Sequence, residues 1–206
     1  MLGVYNYTVI LTYLGMLAGF AGILLGSAGN THAALLCLMG AGVCDMFDGA
    51  VASTMERTAR EKRFGVQIDS FSDLICFGAL PAVIVYVVSG RSVICACFSG
   101  LYLLCALIRL AWFNVDEEER QERETGSRTI YLGLPVTTAA LILPALMELC
   151  GAANLPAGSI APYVLLVVAV AFLTPFRLHK PARAGKIAIL VCGMAELVLL
   201  ITGVDL

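Results

Sequence analysis

Seven apolar runs, at about residues 8–26, 33–55, 69–89, 92–113, 131–150, 159–176 and 187–204, leave little of this 206-residue chain for anything else. A helix needs about 20 mostly apolar residues to cross the hydrocarbon core of a bilayer, and these runs have that length. The expected fold is therefore all-α: a polytopic integral membrane helical bundle of six to eight transmembrane helices, seven by this reading. Charged residues make up only 14% of the chain, where a soluble domain carries about a quarter. No room remains for a separate soluble domain, and residues 1–206 read as one membrane domain.

The loops carry the orientation signal. Of the thirteen Lys and Arg, four follow the second run (Arg57, Arg60, Lys62, Arg63), four end or follow the fourth (Arg109, Arg120, Arg123, Arg128) and four follow the sixth (Arg177, Lys180, Arg183, Lys186). Only Arg91 falls elsewhere. Positive loops stay inside, so these three loops and the N-terminus are expected in the cytoplasm, with the C-terminus outside. Met1 to Thr8 lacks the basic start of a cleaved signal peptide, so the first run is expected to be a retained span. The last run carries Glu196, which leaves its insertion open. Residues 116–128, DEEERQERETGSR, read as a solvated mixed-charge loop. The eight cysteines show no zinc spacing, and His32 and His179 are too far apart in sequence for a histidine metal site or a Ser/His triad.

Four carboxylates do not belong in such runs. Asp45 and Asp48 lie in the second run, and Asp69 and Asp73 open the third. An Asp at the centre of a spanning helix costs about 2.5–3.5 kcal/mol, so four could cost on the order of 10 kcal/mol unless something compensates. Their spacing supplies a reason. At about 100° per residue, Asp45, Asp48, Gly49 and Ala52 share one helical face, and Asp69 and Asp73, at i and i+4, share a face of the next helix. The short connection makes these helices antiparallel neighbours, so the two faces can form a four-carboxylate cluster. All-oxygen ligand sets suit Mg²⁺ or Mn²⁺, and two such ions could clamp a phosphoryl group for in-line displacement. Gly49 and Ala52 leave room for a ligand against the backbone.

The stretch CDMFDGAVAS…FGVQIDSFSD resembles the signature of the CDP-alcohol phosphotransferase family, D-x-x-D-G-x-x-A-R followed by G-x-x-x-D-x-x-x-D. Asp45, Asp48, Gly49, Ala52, Gly65, Asp69 and Asp73 match it position by position. Two features depart from it: Ser53 stands where the family has Arg, and eleven residues separate Ser53 from Gly65 where eight or nine are usual. Arg57 or Arg60 could take over the missing guanidinium. IDSFSDLICFGALPA, RLAWFN and GLPVTTAA are further similar to segments of the phosphatidylserine synthase branch, in the same order. Leu132 before G-L-P and Trp112 in RLAWFN differ from commoner forms.

The resemblance implies a two-metal phosphatidyltransferase facing the cytoplasm from the cell membrane, with CDP-diacylglycerol and L-serine as substrates and a homodimeric assembly. It implies Asp45, Asp48, Asp69 and Asp73 as metal ligands, Asp73 also as general base, and Gly49, Ala52, Ser53 and Gly65 beside the nucleotide. Serine's carboxylate asks for a cation, and Arg109 is the candidate within a span. No nucleic-acid partner is expected. Two other readings stay open: the same chemistry with glycerol 3-phosphate or inositol phosphate as acceptor, and a cation-coupled transporter. Glu148 has no role on this reading, and Glu196 no partner.

Overall fold

The computed structural model describes residues 3–123, 130–179 and 183–202. Its helices are α1 (Ile10–Ser27), α2 (Thr31–Ala52), α3 (Ala59–Asp73), α4 (Leu80–Val88), α5 (Val93–Arg123), α6 (Ala139–Ala152), α7 (Ala157–Leu173) and α8 (Arg183–Thr202). A π-helical segment, Leu74–Ala79, joins α3 to α4 without a break. Four stretches are long and apolar enough to cross a membrane: Tyr7–Ser27, Thr31–Ala52, Ala59–Val88 and Val93–Arg120. Val136–Ala152, Ala157–Leu173 and Val191–Thr202 are shorter apolar helices. The chain is thus a polytopic membrane helical bundle whose helices follow the seven apolar runs.

Two sequence expectations need correction, and one detail adds to the all-α expectation. The third helix begins at Ala59, ten residues before its apolar run, because Thr58 and Glu61 form a reciprocal capping box. Arg60, Lys62, Arg63 and Gly65 are therefore helical. Helix α5 continues to Arg123, so the first part of the supposed 116–128 loop is helix, braced by an Arg120–Glu117 ion pair at i,i+3; residues 124–129 lie outside the described ones. A short antiparallel ribbon also interrupts the all-helical pattern. Strand β1 (Ile130–Leu132) pairs with β2 (Arg177–His179), Tyr131 opposite Leu178.

The loops sort to two ends. The Asn6–Tyr7 segment reaches the connection after α2, where Asn6 Nδ2 donates to Glu61 and the Tyr7 hydroxyl meets Thr54 Oγ1 at 3.1 Å. The ribbon ties the connection after α5 to the one after α7. In the other set, Arg91 donates to the Ser27 carbonyl at 2.8 Å, and Gly158 packs against the Val88 carbonyl. This grouping has the alternation that the charge pattern requires.

Helix α1 lies close on its neighbours through Gly15, Gly19, Gly22 and Gly26, spaced as small residues are at close membrane-helix contacts. A Cβ on Gly15 would lie 3.2 Å from Cys44 Cβ. Deeper in, Leu35, Leu38, Phe77, Leu80, Tyr102 and Phe172 are fully buried. Pro81 explains the π segment between α3 and α4. It has no N–H to return to the Phe77 carbonyl, and its ring crowds that carbonyl. The Tyr102 hydroxyl donates to it instead, at 2.6 Å.

Candidate active site

Helices α2 and α3 bring three of the four aspartates together. One carboxylate oxygen from each of Asp45, Asp48 and Asp69 lies within 4.8 Å of the others. Asp73, one turn beyond Asp69, is not part of that group. It lines a cavity of about 580 Å³ together with Asp45 and Asp69. All four carboxylates are half-buried, so none is simply solvated at a helix end.

The donor set suits a hard divalent cation. Oxygens on an octahedral ion with 2.0–2.1 Å bonds sit about 3–4 Å apart, which the three carboxylates reach with small adjustments. Among the described residues the cluster consists of carboxylates alone, a donor set that fits a hard cation.

The cavity beside the cluster is mostly apolar, with Asp45, Asp69, Asp73 and Arg109 among its lining residues. Residues from α2, α5, α6 and α8 line it, among them Met39, Phe113, Leu141 and Leu197. Arg109 reaches it from α5 while only 7% exposed. Its Nε donates to the Leu134 carbonyl at 3.2 Å, and its guanidinium lies 6.0 Å from the Phe113 ring centroid. A buried guanidinium held in this way is not a snorkelling surface residue. Thr137 and Thr138 line the same space.

Gly133 sets the backbone that delivers Leu134. It has φ +78°, and a Cβ there would lie 3.0 Å from the Thr174 carbonyl oxygen. Only glycine suits both constraints. Its N–H donates to Phe176 O at 2.7 Å, fastening the G-L-P segment to the end of α7.

The remaining sequence candidates fall at the end of α2 and the start of α3. Gly49 is exposed, and a Cβ on it would meet nothing within 4 Å. Ala52 closes α2. Ser53 is exposed and its hydroxyl turns back to the Ala50 carbonyl at 2.7 Å. Arg57 is half-buried, with Nη1 3.3 Å from where a Cβ on Gly65 would stand. Its guanidinium therefore lies against the second half of the signature, whereas Arg60 points out as an exposed residue of α3.

Sequence reasoning missed Thr12. This residue of α1 is 8% exposed, and its hydroxyl donates to Asp48 Oδ2 at 3.3 Å. It missed Asn114 as well, whose Oδ1 accepts from Ser70 at 2.9 Å and ties α5 to the carboxylate-bearing turn of α3. A polar residue inside an apolar run was the available signal for Thr12.

Known proteins place this arrangement. Residues 5–175 match the family described as CDP-alcohol phosphatidyltransferase. The chain is 35% identical over 105 residues to a CDP-diacylglycerol–serine O-phosphatidyltransferase of Saccharomyces cerevisiae, covering 50% of this chain and 37% of that protein. It is 33% identical over 135 residues to an archaetidylserine synthase of Methanothermobacter thermautotrophicus, covering 65% and 54%. To a CDP-diacylglycerol–serine O-phosphatidyltransferase of Helicobacter pylori it is 27% identical over 141 residues, covering 68% and 56%. The chain spans about half the length of the curated relatives it matches. With four-fifths of its residues inside the family match and the signature aspartates converging between α2 and α3, the chain belongs to the CDP-alcohol phosphatidyltransferase family.

Proposed function

We propose that this protein is a membrane phosphatidyltransferase that moves the phosphatidyl group of CDP-diacylglycerol onto the hydroxyl of L-serine, yielding phosphatidylserine and CMP. The observation that carries this reading is the convergence of Asp45, Asp48 and Asp69 beside a largely apolar cavity that also holds Asp73 and Arg109. The relatives' names support the serine acceptor.

Asp45, Asp48 and Asp69 would hold Mg²⁺ or Mn²⁺, two ions on the family pattern, with Asp73 near the second. When bound, the cations offset the charge of the pyrophosphate and of the departing CMP. Gly49 and Ala52 leave the backbone open for the cytidine, with Ser53 and Gly65 at its margin. Arg57, lying against Gly65, takes the place of the guanidinium that Ser53 lacks, and Arg60 is the more distant alternative. The apolar walls of the cavity accept the lipid portion. Asp73 takes the proton from the serine hydroxyl, a role that needs a carboxylate within hydrogen-bond reach of that oxygen. The serine oxygen then bonds to the lipid-bearing phosphorus as the bond from that phosphorus to the CMP oxygen breaks. Arg109 binds the serine carboxylate, for which a guanidinium offers two parallel donors. The site faces the cytoplasm, residues 1–206 act as one domain, and the protein assembles as a homodimer in the cell membrane.

The test is product analysis with purified protein, CDP-diacylglycerol and Mg²⁺ or Mn²⁺, offering L-serine, glycerol 3-phosphate and inositol phosphate separately. Serine-dependent formation of phosphatidylserine with equimolar CMP is the expected result. A lipid product from another acceptor would overturn the serine assignment and keep the transferase. No CMP with any acceptor would overturn the enzyme reading.

A further inference from the structure

We infer that Thr12 is a positioning residue for the carboxylate cluster, holding Asp48 and the ligand-bearing turn of α3 from a third helix. This inference rests on the metal-site reading above.

The geometry joins three elements at one residue. Thr12 Oγ1 donates to Asp48 Oδ2 on α2 at 3.3 Å. The Thr12 carbonyl accepts from Ser72 Oγ at 3.3 Å, and Ser72 lies between Asp69 and Asp73. One turn farther, Cys76 Sγ donates to the Gly15 carbonyl at 3.2 Å. Helix α1 thus grips α2 by a side chain and α3 with its π extension by two backbone carbonyls. Thr12 and Ser72 are both buried, so water does not compete freely for these bonds.

The contact depends on how close α1 comes. Gly15 and Gly19 carry no side chains, which lets the α1 backbone lie against Cys44 and Cys76. At that separation a side chain as short as threonine reaches the Asp48 carboxylate. The hydroxyl holds one oxygen of a carboxylate that also brings an oxygen within 4.8 Å of those of Asp45 and Asp69. Groups that hydrogen-bond a ligating carboxylate fix its orientation, and removing them commonly costs about 10–100-fold in metal affinity or activity.

Threonine has two features, a hydroxyl and a methyl group, and substitutions separate them. Thr12→Val keeps the shape and removes the donor, whereas Thr12→Ser keeps the donor and removes the methyl group. A packing role ranks Val above Ser; a positioning role ranks Ser above Val. The experiment measures Mn²⁺ affinity by electron paramagnetic resonance on purified full-length protein, with thermal unfolding and CMP release on the same samples. Asp69→Asn serves as the control for the metal site. The expected result is that Thr12→Val binds Mn²⁺ at least about tenfold more weakly while unfolding near the wild-type temperature, and that Thr12→Ser stays within about threefold of wild type. Wild-type affinity in Thr12→Val, with affinity lost in Asp69→Asn, overturns the role of Thr12 and leaves the metal site standing. Affinity that follows unfolding temperature, with Ser below Val, also overturns it in favour of packing. Failure of the wild-type protein to bind Mn²⁺ overturns the metal reading and this inference together.

Discussion

Replacing Gly19 with alanine should force α1 away from the π segment, and the cost follows from the distances. A Cβ at Gly19 would lie 2.5 Å from Cys76 Sγ, 3.3 Å from its Cβ and 3.1 Å from its Cα. The thiol can rotate aside, but the Cα belongs to the backbone and cannot. The two segments must therefore separate by several tenths of an ångström, and overpacking of this kind costs about 1–3 kcal/mol. Gly26, on the same helix, provides the comparison. A Cβ there would meet Ala34 Cβ at 3.4 Å and Ile84 Cγ1 at 3.5 Å, ordinary contact distances. Alanine gains about 0.8–1.0 kcal/mol of helix propensity over glycine at either position, so that gain cancels in the difference. At about 2–4 °C per kcal/mol for a chain of this size, Gly19→Ala should unfold about 2–12 °C below Gly26→Ala. The assay is thermal unfolding in detergent, with CMP release in parallel. Gly19→Ala should also lose turnover, because the retreat of α1 withdraws Thr12 from Asp48. Equal midpoints for the two variants, or Gly26→Ala below Gly19→Ala, would refute the close-approach argument.

Other substitutions probe separate parts of the account. Tyr102→Phe leaves the buried Phe77 carbonyl without its donor and should cost about 1–2 kcal/mol in thermal or denaturant unfolding, whereas the exposed Tyr163→Phe should cost nothing measurable. Gly133→Ala, strained at φ +78° and driven onto the Thr174 carbonyl, should lower stability by about 1–3 kcal/mol and disturb Arg109 through Leu134. Arg109→Lys keeps a positive charge but loses the planar fork; it should raise the KM for serine about tenfold or more, with little change in the KM for CDP-diacylglycerol. Steady-state kinetics with each substrate varied in turn would expose the opposite pattern.

Much of the architecture was legible because lipid permits few alternatives. The run 33–55 became Thr31–Ala52, and 92–113 became the apolar part of α5. Hydropathy misplaced the polar ends, where the bilayer no longer selects helix. The start of α3 was written instead in Thr58 and Glu61, three residues apart. The extension of α5 was written in Glu117 and Arg120, whose spacing suits a helix surface. The carboxylate face of α2 followed from angular arithmetic, since a rigid helix converts spacing directly into direction. Its convergence with Asp69 needed only that neighbouring helices pack.

Contacts between elements distant in sequence were a different matter. Thr12 meets Asp48 across 36 positions, and nothing local to either residue marks the pair. The glycines of α1 are spaced for a close helix contact, but spacing alone names no partner. A proline such as Pro81 distorts a helix, but the form of that distortion, a π segment capped by Tyr102, depends on a donor from another helix. Arg109 was identifiable as a cation within an apolar run, whereas its burial and its bond to Leu134 rest on the turn that Gly133 allows.

The central claim is that Asp45, Asp48 and Asp69 form one divalent-cation site on which group transfer depends. Mn²⁺ binding and serine-dependent CMP release, measured on the same preparations of wild type and Asp69→Asn, test it most directly. The account predicts that wild type binds Mn²⁺ and requires it or Mg²⁺ for release, and that Asp69→Asn loses binding and release together. Wild-type binding or undiminished release in Asp69→Asn would contradict it.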